Sequence, residues 1–171
     1  MNHVVQDYYD KSEGEVALSW EDVEQAAHNI IWRMERDGFT PDIIISIARS
    51  GLIPAALISY AVGNKELYTI KIDFSKVQKE GKDQELRHKP KISQELSKDI
   101  EGLKVLVVDE MVVSGSTLKL VGDYLEMKHP AEVKFVVLYK QPWTQFEPDY
   151  FGEETRQWPI FPWKRLVNNN K

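Results

Sequence analysis

Apolar positions along this chain follow two rhythms. Four short runs are rich in apolar, often β-branched residues and read as strands: 42–48, 67–74, 104–108 and 133–139. Where the apolar residues are nearly unbroken, as at 43–48 and 105–108, the strand is expected to be buried on both faces. Between them apolar residues recur every three or four positions, as Val23, Ala26, Ala27, Ile30, Ile31 and Met34 do. That spacing predicts a helix from Ser19 to about Asp37. Ser19 acts as N-cap with Asp22 three residues on, Gly38 stops the helix and Pro41 prevents its return. A second helix is expected over 52–62, with Pro54 in its first turn and Gly63 past its end. A third, amphipathic segment covers 118–128. Strands alternating with helices predict one α/β domain with a mainly parallel central sheet flanked by helices, spanning residues 1–171.

The stretch 74–98 breaks both rhythms. It carries Lys76, Lys79, Lys82, Arg87, Lys89 and Lys91 with little periodicity. Loops of this length inside a compact domain are usually functional. A flexible lid is expected there.

Composition narrows the class. At 171 residues the chain can bury a real core, and 42% hydrophobic with 29% charged residues is ordinary for a globular domain. A net charge of −5 argues against wholesale nucleic-acid binding. With no cysteine there is no disulfide framework, thiolate metal site or cysteine nucleophile. The amino terminus lacks a basic, apolar leader and no segment is apolar enough to span a bilayer, so a cytoplasmic enzyme is expected.

The run from Lys104 to Thr117 carries the most chemistry. A buried strand meets two adjacent acids, Asp109 and Glu110, and then a small-residue turn, Ser114-Gly115-Ser116-Thr117, opens a helix. In open α/β sheets ligands bind beyond the carboxyl ends of strands, and a helix N-terminus offers free N–H groups to phosphate. Two carboxylates beside a phosphate cradle suit a phosphorylated sugar. Other phosphate loops fit worse: there is no G-x-x-x-x-G-K-[ST], no G-x-G-x-x-G after a strand, and no G-x-S-x-G around the serines. A second constellation, Ser46-Ile-Ala-Arg49-Ser50-Gly51-Leu52, joins the end of the first strand run to a helix start. An arginine beside small residues there suits pyrophosphate; the alternative is a tight turn with Arg49 facing solvent. Lys140 ends the last strand run on the same rim, and the tail Trp158-Pro-Ile-Phe-Pro-Trp163 is rich in aromatic faces.

The strand, acid pair, hydrophobic spacer and S/T-G-S-T turn resemble the phosphoribosyl-pyrophosphate (PRPP) motif of type I phosphoribosyltransferases. The tail is similar to the W-x-x-x-P-W ending of bacterial and archaeal hypoxanthine and xanthine–guanine members. The resemblance implies the type I fold with a lid over about 74–98 and a small hood at the tail, about 140–165. It implies transfer of the phosphoribosyl group from PRPP to a nucleobase, most closely a 6-oxopurine, giving a nucleoside 5′-monophosphate and pyrophosphate. By the same resemblance Asp109 and Glu110 hold the ribose hydroxyls and Mg²⁺, directly or through water. Val113, Ser114, Gly115, Ser116 and Thr117 hold the 5′-phosphate, and Arg49, Ser50 and Gly51 hold pyrophosphate. Lys140, Trp158, Pro159 and Ile160 contact the base, with Trp158 stacked on it. Trp163 packs the tail on the core, and Arg165 is a further phosphate candidate. The implied partners are PRPP and a base, with no nucleic acid or membrane, in a homodimer or tetramer.

Two departures stand out. The spacer usually ends in an aspartate that handles the proton on purine N7, and here it ends in Val113, which cannot exchange a proton. The pyrophosphate loop is often cis at its arginine–glycine bond, and Ser50 in place of glycine sets that against the cost of a non-proline cis bond at Arg49–Ser50. Another base, or a non-catalytic PRPP sensor, therefore stays open beside the main reading. A flavodoxin-like receiver with Asp109 as phosphoacceptor lacks the extra acids it would need beside Ile47-Ala48-Arg49.

Overall fold

The computed structural model describes residues 9–77 and 87–165, with side chains left aside at 75–77, 87 and 88. The elements run β1 (Glu15–Ala17), α1 (Trp20–Arg36), β2 (Ile43–Ala48), α2 (Leu52–Val62), β3 (Leu67–Val77), β4 (Arg87–Gln94), β5 (Lys104–Val112), α3 (Ser116–Glu126), β6 (Glu132–Lys140), β7 (Tyr150–Glu154), β8 (Trp158–Ile160) and α4 (Pro162–Arg165). Six strands form one sheet in the order β4-β3-β2-β5-β6-β7, parallel except for β4. The four strand runs expected from the sequence are its centre.

Why those runs are continuously apolar follows from the packing. Alternate residues of a strand face opposite sides. Leu106, Val108, Val136 and Leu138 pack with Val23, Ala26, Ile30 and Met34 of α1 and Ala55 and Ile58 of α2. Val105, Val107 and Val137 pack with Leu118, Val121 and Leu125 of α3 on the other side. Helix α1 begins as its cap predicts: the Ser19 hydroxyl accepts from the Asp22 amide at 3.1 Å, and the Asp22 carboxylate accepts from the Ser19 amide at 2.7 Å. Gly63 ends α2 in the left-handed region, at φ 67°. No helix among the described residues is long and apolar enough to cross a membrane.

Three expectations change. Strand β5 continues past Val108 to Val112, because β6 keeps pairing with it through Asp109↔Val137 and Val112↔Lys140. The acid pair therefore lies inside the strand's last turns of pleat rather than beyond them. The 74–98 stretch is not a plain loop, since β3 and β4 pair antiparallel from Ile72↔Ile92 to Val77↔Arg87. Residues 78–86, with Lys79 and Lys82, lie outside the described residues. The hood is built from both ends of the chain: β1 pairs in parallel with β8, Glu15 opposite Trp158 and Ala17 opposite Ile160.

Gly152 in β7 lies directly against α1. A Cβ there would lie 2.6 Å from the Ala26 Cβ and 2.7 Å from the Leu138 carbonyl oxygen. Gly152→Ala is expected to cost about 1–3 kcal/mol through overpacking. A lower urea midpoint at constant slope would show it; an unchanged midpoint would mean that α1 sits less tightly than described.

Candidate active site

Strand β2 leads through α2 to β3 on one side of the sheet, whereas β5 leads through α3 to β6 on the other. The switch point of the topology is thus the crevice between the carboxyl ends of β2 and β5, where open α/β sheets take ligands. Direct pairing of these two strands ends at Ser46↔Val108. Both constellations singled out in the sequence flank that opening.

Gly51 makes the crevice tight at its base. A Cβ on it would lie 2.4 Å from the Val108 carbonyl oxygen and 3.1 Å from the Asp109 Cα, so no other residue fits without backbone movement. The Gly51 amide closes the turn on the Ile47 carbonyl at 2.9 Å. Arg49 beside it is exposed. The cis peptide of this loop is Ala48–Arg49, one bond earlier than the Arg49–Ser50 bond considered from the sequence.

Asp109 and Glu110 are both buried, at 8% and 6% exposure. The Glu110 amide donates to Asp109 Oδ1 at 2.9 Å. Lys164 of α4 reaches across the rim, its Nζ donating to Glu110 Oε1 at 3.0 Å. Two adjacent buried carboxylates cannot both carry charge cheaply. Burial first, and then the neighbouring Glu110 charge, hold the Asp109 carboxyl well above the usual aspartate range. Burial pushes Glu110 up as well, but a hydrogen bond from Asp109, the Lys164 charge and a bond from Ser50 outweigh it and bring the group below its ordinary value. Asp109 thus leans toward its protonated form, while Lys164 offsets the charge of Glu110.

The phosphate turn follows at once. Gly115 has φ 85°, and a Cβ on it would lie 2.3 Å from the Phe146 Cβ. Only glycine meets both demands. The Ser114 and Ser116 hydroxyls lie 3.0 Å apart, and the Ser116 amide donates to Ser114 Oγ at 3.3 Å. The Gln145 amide ties the turn to the following loop through the Ser114 carbonyl at 3.3 Å. The first N–H groups of α3 lack intrahelical acceptors, and the helix dipole favours an anion in front of them.

The tail sorts differently from its expectation. Trp163 does anchor the hood: its ring stacks on Phe161 at 4.8 Å and meets Trp20 at 5.7 Å. Trp158 is half-buried, with Tyr9 edge-on at 5.5 Å. The Trp158 amide donates to the Gly14 carbonyl and the Ile160 carbonyl accepts from Leu18, so these groups are engaged by the β1 side. Strand alternation turns the Pro159 carbonyl the other way. Arg165 bonds the Leu18 carbonyl and thus fastens the tail rather than standing free for phosphate. Lys140 is paired within the protein. Its ammonium lies 2.6 Å from Glu147 and 3.3 Å from Glu154, over the Phe151 ring. Burial disfavours its charge, but the two glutamates outweigh that and keep it protonated. The next residue, Gln141, takes the place facing the hood: it is fully buried and its Nε2 donates to the Gln157 carbonyl at 2.9 Å. Its Oε1 has no partner among the described residues, an arrangement that costs about 1–3 kcal/mol where it persists. Neither Lys164 nor Gln141 gave a signal in the sequence, because both follow residues with more obvious roles.

An acid pair, a glycine-tight turn and a helix N-terminus thus meet at the sheet's switch point, where open α/β sheets take ligands. The chain belongs to the phosphoribosyl transferase domain family, whose model matches residues 18–166; it is a phosphoribosyltransferase. It is 26% identical over 155 residues to a xanthine–guanine phosphoribosyltransferase of Ruegeria sp., covering 85% of this chain and 83% of that one. It is 31% identical to the enzyme of that name from Nitratidesulfovibrio vulgaris, covering 88% and 85%. Among solved structures, a purine phosphoribosyltransferase from Pyrococcus horikoshii superposes with TM-score 0.75 at 32% identity, over 88% of this chain and 93% of that one. A hypothetical protein from Neisseria gonorrhoeae, solved with bound ppGpp, shares the fold at TM-score 0.78 and 20% identity, over 91% and 94%.

The acid pair makes a stability prediction. A carboxyl whose folded value is raised contributes stability that is complete below its unfolded value of about 3.8 and is lost as pH rises through the folded value. Glu110, shifted the other way, acts only near and below 4.5. As pH rises above the unfolded value, therefore, wild-type unfolding free energy should decline, while Asp109→Asn, with no proton to lose, should decline less. Parallel urea-denaturation profiles would contradict the assignment.

Proposed function

We propose that this enzyme transfers the 5-phosphoribosyl group of PRPP to a ring nitrogen of a 6-oxopurine, in the manner of purine salvage. The observation that carries the reading is the juxtaposition of the Asp109–Glu110 pair with the 113–117 turn at the switch point. The likeness to xanthine–guanine and purine phosphoribosyltransferases supports the purine branch.

In this reading the amides of Val113 to Thr117, with the Ser114, Ser116 and Thr117 hydroxyls, take the 5′-phosphate. Asp109 and Glu110 take the ribose hydroxyls, and Arg49, Ser50 and Gly51 cradle the pyrophosphate. The bond from C1 to the pyrophosphate oxygen breaks, that oxygen keeps the electron pair, and the purine nitrogen bonds to C1 through an oxocarbenium-like transition state. The protein's part is placement and charge stabilisation rather than covalent chemistry. The Trp158 face offers a stacking wall for the base, and the Pro159 carbonyl an acceptor at its edge. Val113 cannot take the purine proton, so the proton leaves to water or to the departing pyrophosphate.

Mg²⁺ fits the donor set. No group of three or more His, Cys, Asp or Glu able to hold a metal occurs among the described residues. A pair of carboxylates completed by substrate oxygens and water is nevertheless what Mg²⁺ ordinarily accepts. Asp109 and Glu110 would hold the ion, directly or through water, and the ion would supply positive charge toward the PRPP oxygens. Lys164 would then leave Glu110.

The test is a panel of bases incubated with PRPP and Mg²⁺, with nucleotide products identified. Hypoxanthine, guanine or xanthine should turn over. Products from adenine or pyrimidines alone would contradict the 6-oxopurine assignment, and PRPP binding without any product would favour a sensor. Asp109→Asn should lower kcat/KM for PRPP on the order of 10–100-fold with every base, the scale of one or two charge-assisted contacts.

A further inference from the structure

We propose that Gln141 is the specificity residue of the base pocket: its side-chain oxygen accepts a hydrogen bond from an N–H on the six-membered edge of the purine. This rests on the purine reading above and adds to it the residue and the polarity of the contact.

Three observations carry it. The first is position. Gln141 directly follows β6, and its own amide donates to the Val112 carbonyl at 3.0 Å, which places it next to the start of the phosphate turn. Its side chain reaches the carbonyl of Gln157, the residue before Trp158, at 2.9 Å. It therefore bridges the sugar-phosphate cradle and the aromatic hood, the interval a base joined to the ribose must occupy. The second is polarity. A carbonyl can only accept, so the group facing Gln157 must be the amide's NH₂, and this fixes the amide the right way round. The free end is then Oε1, an acceptor. It is fully buried and has no donor among the described residues. The third is the engagement of the neighbouring cation. Lys140, the other polar side chain at this strand end, is held by Glu147 and Glu154. A lysine would donate to a carbonyl on the base; the group at the hood instead asks the base for a donor. As the hood stands Oε1 is closed off, so the base reaches it when β8 lifts from the rim.

Hypoxanthine supplies such a donor at its ring N1–H and adenine at its exocyclic amine. Unsubstituted purine has neither. The experiment compares kcat/KM for hypoxanthine, adenine and unsubstituted purine, at saturating PRPP and Mg²⁺, in wild type, Gln141→Met and Gln141→Glu. Wild type should prefer a donor-bearing base over unsubstituted purine by on the order of tenfold or more, about one hydrogen bond. Gln141→Met should lose about that factor from the ratio, and Gln141→Glu, which keeps an acceptor oxygen but gives up the bond to the Gln157 carbonyl, should retain more of it than Gln141→Met. Loss of general packing would lower all three bases together and leave the ratio intact. Preference for hypoxanthine places the donor at N1. Preference for adenine places it at the 6-amino group, which would keep the role of Gln141 and overturn the 6-oxopurine assignment. A ratio that Gln141→Met leaves unchanged, or a wild-type preference below about twofold (which decides the matter even if the variants do not fold), overturns the proposal. Wild type that uses no base at all overturns the reading beneath it, and the two failures are distinct.

Discussion

Two neighbouring carboxylates, closed off from water and served by a single lysine, set the terms for the rest of this structure. Asp109 and Glu110 sit where the pleat of β5 continues alongside β6 and away from β2, so their burial is a consequence of sheet topology rather than of a special loop. The cost of such a pair is eased here by a raised Asp109 carboxyl, held toward its protonated form, and by Lys164 on Glu110. Both are replaceable. Ribose hydroxyls can donate where the proton did, and a divalent cation can stand where the ammonium does. A site that is neutral by borrowed partners is ready to exchange them for a ligand.

The hood acquires its meaning from the same constraint. Lys164 lies in the short helix after the aromatic tail, and Trp163, one residue earlier, is stacked in the core layer beneath it. Gln141 fastens the β6 end to Gln157, and Arg165 fastens the tail to Leu18. The carboxyl end of the chain is thereby tied to the acid pair, to the rim and to the amino-terminal leader. In the proposed function, a ligand that displaced Lys164 from Glu110 would remove one of these ties.

Much of this was legible in the sequence because it is local. The continuous apolar runs can only be strands covered on both faces, Ser19 and Asp22 write their cap into four residues, and the acid pair and glycine turn lie within one nine-residue span. What was illegible depends on partners far along the chain. The β3–β4 hairpin was hidden by its second strand, since β4 carries only Pro90 and Ile92 among polar residues and no alternation marks it. The β1–β8 pair joins residues too distant for any pattern to connect. That Lys140 pairs with Glu147 and Glu154 could not be read from its place after a strand, because only register sets it opposite Glu154. Lys164 and Gln141 had no motif of their own, since their roles arise from what the fold sets against them. Gly51 was named for close approach to a ligand; its closest neighbour is the backbone of β5 itself.

The most direct test of this account is a crystal structure of the protein with PRPP and Mg²⁺. The account predicts the 5′-phosphate on the amides of residues 113–117, the ribose hydroxyls on Asp109 and Glu110, and Lys164 withdrawn from Glu110. A phosphate bound elsewhere, or a sugar in place while the Lys164–Glu110 pair stays intact and both carboxylates point away from it, would contradict it.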